Sequence, residues 1–318
     1  MNGLLHIDDP TVAELVDLAS ATDSLGAAFA AWGRGEAATT QRVRAAAGGL
    51  MASAMAAVVP PYSGGKVYAT RHGAFTFMIT LFDVEGQLLC TLDGDTITRL
   101  RTPAASALAI RSLAAPESTT AALIGAGRQG WSHLEMLREE LPGLTRIAVA
   151  DRLHDAVTNI VARARDAGIP AVAAPTPADA AAGADVVITI TASSEPLFGA
   201  AVVSDRTLLC GVGATKYDRR ELGADVVARC RAVVCDDVVG SQTECGDLIG
   251  AVAEGAFDWE QAIELSDLLA GQVVVPRAGE GPVLFETQGV ALQDVAIAAL
   301  AYERYMSRSS THNKEGNA

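Results

Sequence analysis

The chain has 318 residues, half of them hydrophobic and 19% charged, which excludes a disordered chain and suits two domains. Its 24 basic residues face 38 acidic ones, a formal charge of −14, so the basic face of a general nucleic-acid binder is missing. Five cysteines without C-x-x-C and five histidines without H-E-x-x-H point to free thiols and no metal site.

Asp8 and Asp9 interrupt the N-terminus before any apolar leader. The apolar run 45–62 ends in Pro60-Pro61 and is too weak for a membrane span. These features fit a cytoplasmic protein with no membrane partner. In chain order, residues 8–34 read as one helix. Asp8 or Asp9 caps it, Pro10 sits in its first turn, and Val12, Leu15, Val16, Leu18 and Ala19 recur at helical spacing. From 48 to 93 the texture is that of strands. Large apolar residues alternate at 75, 77, 79 and 81, and a turn at Glu85-Gly86 leads into 88–92, predicting an antiparallel hairpin. Residues 102–113 read as an Ala-rich helix that Pro116 ends. Strands are then expected at 120–124, 146–150, 171–174, 185–191, 208–212 and 232–235, with helices at 130–140 and 154–167. Such apolar runs belong to a buried parallel sheet, so this part reads as a doubly wound α/β domain. A last helix, 289–306, is expected to return to the first domain, followed by a polar tail that holds Lys314.

The strongest local motif is Gly125-Ala126-Gly127-Arg128-Gln129-Gly130, a G-x-G-x-x-G between a strand and a helix. Gly125 permits a tight turn, Gly127 the approach of a pyrophosphate, and Gly130 the packing of helix on strand. Asp151 ends the next strand, 21 residues past the last glycine, where a carboxylate accepts both ribose hydroxyls of NAD. Arg152, directly after it, would pair with the 2′-phosphate of NADP if Asp151 turned away. The expected cofactor is NAD, with NADP open. Thr191, Ala192 and Ser193 end one apolar strand, and Val212 and Gly213 end another, where a doubly wound sheet places its crevice. The alternative for 191–193 is a plain capped turn.

Only three lysines occur among the 24 basic residues. Lys66 stands among Gly64, Gly65, Val67 and Tyr68 at a strand start. It is either an edge lysine or a desolvated amine with a lowered pKa that can move a proton beside a reacting carbon. Arg101 is expected just before the 102–113 helix, whose N-terminus favours an anion, and a guanidinium there can grip a carboxylate. Arg99 beside it reads as the solvent-exposed neighbour. Tyr62, His72, Phe75, Phe77 and Met78 could line a side-chain pocket, with core the plainer fate.

Taken together these segments resemble the ornithine cyclodeaminase/mu-crystallin family. Gly-Gly-Lys-Val around Lys66, Leu-Phe-Asp at 81–83, Leu-Asp-Gly at 92–94 and Leu-Arg-Thr-Pro-Ala-Ala at 100–105 come first. Ile-Gly-Ala-Gly-Arg-Gln-Gly at 124–130, Arg-Glu-Leu at 220–222 and Phe-Glu-Thr-Gln-Gly at 285–289 continue in the family's order. The resemblance implies a homodimer. It implies an α+β substrate-binding and dimerisation domain, 1–115 plus 289–318, into which a Rossmann-type doubly wound domain, 116–288, is inserted. It also implies a small amino or imino acid substrate whose α-carboxylate is held by Arg42, Arg101 and Lys66, with Arg44 competing for the role of Arg42.

One departure matters. The family's cyclodeaminases carry an acid/base aspartate a few residues before the Glu-Leu pair, here Glu221-Leu222. Thr215 stands at that position, and Asp218 is out of register, much as mu-crystallin-like ketimine reductases have a small hydroxyl residue there. Threonine is a poor general base. The expected activity is therefore NAD(P)-dependent reduction of the imine of an α-amino acid, or the reverse dehydrogenation, with Lys66 handling the proton. The alternatives are an ornithine or lysine cyclodeaminase that releases ammonia, and a nucleotide-dependent ligand-binding protein with little turnover.

Overall fold

The computed structural model describes residues 4–315, with side chains through 310. The chain begins with β1 (Leu5–Ile7), α1 (Asp9–Leu15), α2 (Leu18–Gly33), β2 (Ala38–Thr39), β3 (Val43–Ala47) and β4 (Leu50–Val59). It continues through β5 (Tyr62–Arg71), β6 (Ala74–Phe82), β7 (Leu88–Asp93) and α3 (Asp95–Leu113). Then follow β8 (Thr120–Ile124), α4 (Arg128–Glu140), β9 (Arg146–Ala150), α5 (His154–Asp166), β10 (Ala171–Ala173), α6 (Pro177–Ala181), β11 (Val186–Thr189) and β12 (Leu208–Gly211). The rest holds α7 (Ala224–Arg229), β13 (Ala232–Cys235), α8 (Val238–Glu244), α9 (Gly246–Ala253), β14 (Ala262–Glu264), α10 (Leu265–Leu269), β15 (Val283–Glu286) and α11 (Ala291–Glu315). The elements group into two compact units. One comprises Met1–Ala104, Leu269–Gln272 and Val290–Ala318, the other Ala105–Leu268 and Val273–Gly289.

In the first unit, residues 8–34 form two helices where the spacing suggested one. Asp8 caps α1, accepting from Thr11 N at 3.0 Å, and Asp17 opens α2 by accepting from Ser20 N at 2.8 Å. An Asp within a helical pattern offers the backbone an alternative partner and so starts a new helix. The sheet runs β1-β7-β6-β5-β4-β2, with β3 also on β4, and is antiparallel except for β1 beside β7. The expected 75–81/88–92 hairpin is present, with a register shift between Leu81 and Phe82. Strand pairing places Met55, Lys66, Ile79 and Leu92 in one row, on the face covered by α11. The opposite face carries Val43, Val58, Val67 and Met78, and Val67 is 57% exposed.

Helix α3 starts at Asp95, earlier than expected, and Pro103 lies inside it. Thr102-Pro103 imitates a cap followed by a first-turn proline, which hides the true start. Arg101 therefore sits within the helix and not before its N-terminus. Helix α11 runs on to Glu315, so residues 307–315 are not a loose tail; the side chain of Lys314 and residues 316–318 lie outside the described residues.

The second unit is a sheet of eight parallel strands in the order β10-β9-β8-β11-β12-β15-β13-β14, the doubly wound α/β architecture expected. Its inner strands are buried along nearly all their length, as in Ala121–Ile124 and Ile147–Ala150, while the edge strands β10 and β14 are partly exposed. The order reverses between β8 and β11, where such sheets open a crevice at the carboxyl ends. Strand β15 was not expected. It inserts between β12 and β13, a place fixed by tertiary pairing and not by local pattern. No helix among the described residues is long and apolar enough to cross a membrane.

Candidate active site

Lys66 is no edge lysine. It is 1% exposed, and its Nζ donates to Thr98 Oγ1 at 2.7 Å and to Asp294 Oδ1 at 2.8 Å. The Phe77 ring centroid lies 4.4 Å from Nζ. Thr98 is itself anchored, donating to Gly94 O at 2.6 Å. Burial pushes the pKa of Lys66 down to about 8; the Asp294 charge opposes this, while the Arg101 and Arg42 charges add to it. The structure thus brings Lys66, Arg42 and Arg101 close enough for their charges to act on one another. Half-buried Arg101 donates from Nη1 to Gln293 Oε1 at 3.3 Å, next to Asp294 on α11. Arg42 is half-buried just before β3, whereas Arg44 is exposed. Arg99 turns away to Thr96 and Asp95.

The same sheet face continues from Lys66 into an aromatic group. Phe75 and Phe77 stack at 5.6 Å, and Tyr68 approaches Phe77 at 5.4 Å. Phe75 is 51% exposed. Ser53 pairs opposite Tyr68, is 2% exposed, and its hydroxyl makes no hydrogen bond. Strand register puts Met51, Ser53, Met55, Tyr68 and Thr70 on this face, with no Asp or Glu among its β4–β6 positions. Of the other pocket candidates, Tyr62 binds Glu303, His72 forms the β5–β6 turn at positive φ, and Met78 faces the opposite side.

In the second unit the glycine motif forms a cradle. Gly125 has φ +121°, and a Cβ there would collide with Ile190 O. A Cβ on Gly130 would collide with Gly125 O, while one on Gly127 would meet nothing within 4 Å. Two glycines are thus required by packing, and the third faces open space beside the first turn of α4, whose N–H groups point out of the helix. This arrangement fits a pyrophosphate. Asp151 Oδ2 accepts from Ala126 N at 2.8 Å and Oδ1 from Leu153 N at 2.9 Å, so the carboxylate braces the glycine loop. Arg128 and Arg152 are both exposed, and Gln129 is half-buried.

Thr191, Ala192, Ser193, Val212 and Gly213 also gather at the carboxyl ends of β11 and β12. Residues 191–193 form the capped turn, with Ser193 N donating to Thr191 Oγ1 at 3.1 Å and Ser193 Oγ to Glu195 O at 2.6 Å. The backbone N–H groups of Thr191 and Gly213 both point at Glu221, a residue noticed in the sequence only as a letter of Arg-Glu-Leu. Asp294, equally unnoticed, left no local signal at all. Thr215 is half-buried, and Asp218 and Lys216 are exposed. Among the described residues no group of three or more His, Cys, Asp or Glu is arranged to hold a metal ion.

Over residues 9–309 the chain matches the ornithine cyclodeaminase/mu-crystallin family. It is 33% identical over 299 residues to a Delta(1)-pyrroline-2-carboxylate/Delta(1)-piperideine-2-carboxylate reductase of Azospirillum brasilense, covering 90% of this chain and 91% of that one. Its structure is similar to that of a probable ornithine cyclodeaminase from Bordetella pertussis Tohama I, with a TM-score of 0.90, 38% identity, and coverage of 96% of this chain and 98% of the other. It is also similar to a Delta(1)-pyrroline-2-carboxylate reductase of Thermococcus litoralis in complex with NADH and L-proline, with a TM-score of 0.90, 25% identity, and the same coverage of 96% and 98%. The chain belongs to the ornithine cyclodeaminase/mu-crystallin family.

Proposed function

We propose that the protein is an NAD(P)-dependent oxidoreductase that reduces the imine of a small α-amino acid, or runs the reverse amino acid dehydrogenation. The convergence of Lys66, Arg42 and Arg101 carries this reading. The Arg101 and Arg42 charges press on Lys66 even beside Asp294, so a further anion at this point is favoured, and a carboxylate matches guanidinium geometry. Arg42 and Arg101 hold the substrate carboxylate, and the positive charge of Lys66 adds to that grip without a hydrogen bond of its own. Two of the Lys66 N–H bonds go to Thr98 and Asp294, and the third reaches the imine nitrogen. The hydride comes from the nicotinamide cofactor when it is bound. As the imine carbon gains that hydride, the C=N π electrons take the Lys66 proton at nitrogen. A pKa of about 8 leaves the ammonium charged at neutral pH yet acidic enough to donate.

The glycine cradle and Asp151 support NAD, and exposed Arg128 and Arg152 keep NADP in play. Cofactor contacts fall to Gly125, Gly127, Arg128, Gln129, Gly130, Asp151 and Arg152, with Thr191, Ala192, Ser193, Val212 and Gly213 at the nicotinamide end. The face beside Lys66 supports reduction over cyclodeamination. Its β4–β6 positions carry aromatic rings and no Asp or Glu to meet the terminal ammonium of ornithine, the Asp294 carboxylate is engaged by Lys66, and Thr215 stands where the acid/base aspartate would be. In the same reading residues 1–115 with 289–318 bind substrate and form a homodimer, and 116–288 bind cofactor, a division that the two compact units support. Exposed Val43, Val58, Val67 and Met78 on one sheet face support the dimer. Five free cysteines support a cytoplasmic location.

Purified protein given NADH or NADPH is expected to oxidise it with a 2-oxo acid plus ammonia or methylamine, or with a cyclic ketimine acid. Ammonia release from ornithine without cofactor consumption across that panel overturns the proposal. Binding of these ligands without turnover leaves only the low-turnover alternative.

A further inference from the structure

The turns that follow β11 and β12 are fastened by a residue to which the chemistry above gives no part. Glu221 is fully buried and extends both carboxylate oxygens toward backbone. Oε1 accepts from Thr191 N at 2.5 Å and Oε2 from Gly213 N at 2.7 Å. Its own main chain is held as well. Leu197 N donates to Glu221 O at 2.8 Å, and the N–H groups of Glu221 and Leu222 donate to Asp247 Oδ1 at 2.6 and 3.0 Å. Arg220 N donates to Ser193 O at 3.0 Å, and Arg219 Nη1 donates to Ala192 O.

Beneath this clamp, Asp247 in the first turn of α9 meets Glu286 at the end of β15. Two glycines make room for these carboxyls. A Cβ on Gly211 would stand 2.5 Å from Glu286 Oε1, and one on Gly213 would stand 2.6 Å from Glu221 Oε2. Asp247 Oδ2 and Glu286 Oε1 have no donor while both groups are ionised, and one proton shared between the carboxyls removes that defect. Burial pushes Asp247 up to about 6, and burial with the charges of neighbouring carboxyls pushes Glu221 up to about 7 and holds Glu286 well above the usual carboxylate range. Arg220, paired with Glu254 at 2.7 Å, bears on Asp247 from one side. The thiols of Cys210, Cys230, Cys235 and Cys245 face Glu286 from the others.

We infer that Glu221 is a positioning residue for hydride transfer: ionised, it fixes the two turns at the nicotinamide end of the crevice, and a proton taken up by the Glu221–Asp247–Glu286 cluster loosens both together. This rests on the cofactor reading above, since only a bound nicotinamide gives those turns a catalytic duty. An ionised acceptor holds two N–H donors about twice as strongly as a neutral one. Protonation also places a hydrogen on an oxygen that now only accepts.

Hydrogen exchange of the wild-type chain tests the clamp without any cofactor. After correction for intrinsic rates, the amides of Thr191 and Gly213 are expected to exchange about 10-fold more slowly at about pH 8 than at about pH 6. In Glu221→Gln the two rates should be equal. In turnover, wild-type kcat/KM should carry an acidic limb near 7, which E221Q loses while keeping the alkaline limb set by Lys66. Its kcat should fall about 10- to 100-fold with KM for the carboxylate substrate unchanged. Wild-type exchange at both amides that ignores pH, or a folded E221Q enzyme that keeps the acidic limb, overturns the inference. If E221Q does not fold, the wild-type exchange result decides alone. If no substrate is turned over, the functional proposal fails while the exchange result still judges the clamp.

Discussion

Lys66 and Asp294 in the first unit are a buried pair of opposite charge, whereas Glu221, Asp247 and Glu286 in the second are buried carboxyls of like charge. Both arrangements move a pKa toward neutrality by desolvation, but the proton behaves differently in each. Attraction to Asp294 keeps the Lys66 proton on one atom, where the proposed reduction would draw on it. Repulsion among the carboxyls leaves a proton shared, and its gain or loss alters backbone grip instead of chemistry. Burial alone, then, does not tell whether a titrating group reacts or positions. Its partners do.

The largest way to break the contrast is Lys66→Ala, which is expected to lower turnover about 100-fold or more in steady-state kinetics. It should also destabilise the fold by about 3–5 kcal/mol in chemical denaturation, because Asp294 stays buried without its partner. The double variant Lys66→Met/Asp294→Asn should recover most of that stability and none of the turnover, which separates chemistry from packing. Arg101→Ala and Arg42→Ala should raise KM for carboxylate substrates about 10- to 100-fold with a smaller change in kcat, since they remove binding common to ground and transition states. Asp294→Asn alone should move the alkaline limb of the pH–rate profile below its wild-type place near 8, because the carboxylate charge that raises Lys66 is gone. A limb that stays fixed would assign it to another group. Asp151→Ala should narrow the preference for NADH over NADPH about tenfold, read from the two kcat/KM values.

The smallest effect concerns stability. Burial raises Glu221 to about 7 and Asp247 to about 6, above the ordinary carboxylate range they have in the unfolded chain. Relative to the unfolded chain their contribution is complete below the unfolded values and is lost as pH rises through the folded ones, whereas within the fold a Glu221 that stays buried grips its two amides more tightly once ionised. The thermal midpoint should therefore fall by a few degrees between about pH 5.5 and about pH 8, and Glu221→Gln should flatten that slope.

What the sequence made legible follows from how far apart the interacting residues lie. The parallel strands are local patterns, and the structure shows the α/β sheet they predict, with the glycine motif and Asp151 at the ends of β8 and β9. Lys66 could be singled out because lysine is scarce, yet its two partners could not. Asp294 is 228 residues away and belongs to a helix that reads simply as apolar. Glu221 acts through backbone amides of two other strand ends, a role that no side-chain pattern announces. The start of α3 was masked by Thr102-Pro103, and β15 by its brevity and its place between strands made earlier in the chain.

That separation has a consequence for how the protein is made. A ribosome that has finished Lys66 must still add 228 residues before Asp294 exists to neutralise it. Until then the lysine has no counter-charge from α11, and the face that α11 will cover stays open. The strands of the first sheet are all made by Asp93, yet the face that α11 covers must wait while the whole parallel sheet of the second unit is synthesised. The buried Lys66–Asp294 pair is thus among the last parts of the molecule to close, and a chain halted before α11 would carry its lysine but not the carboxylate that tunes it.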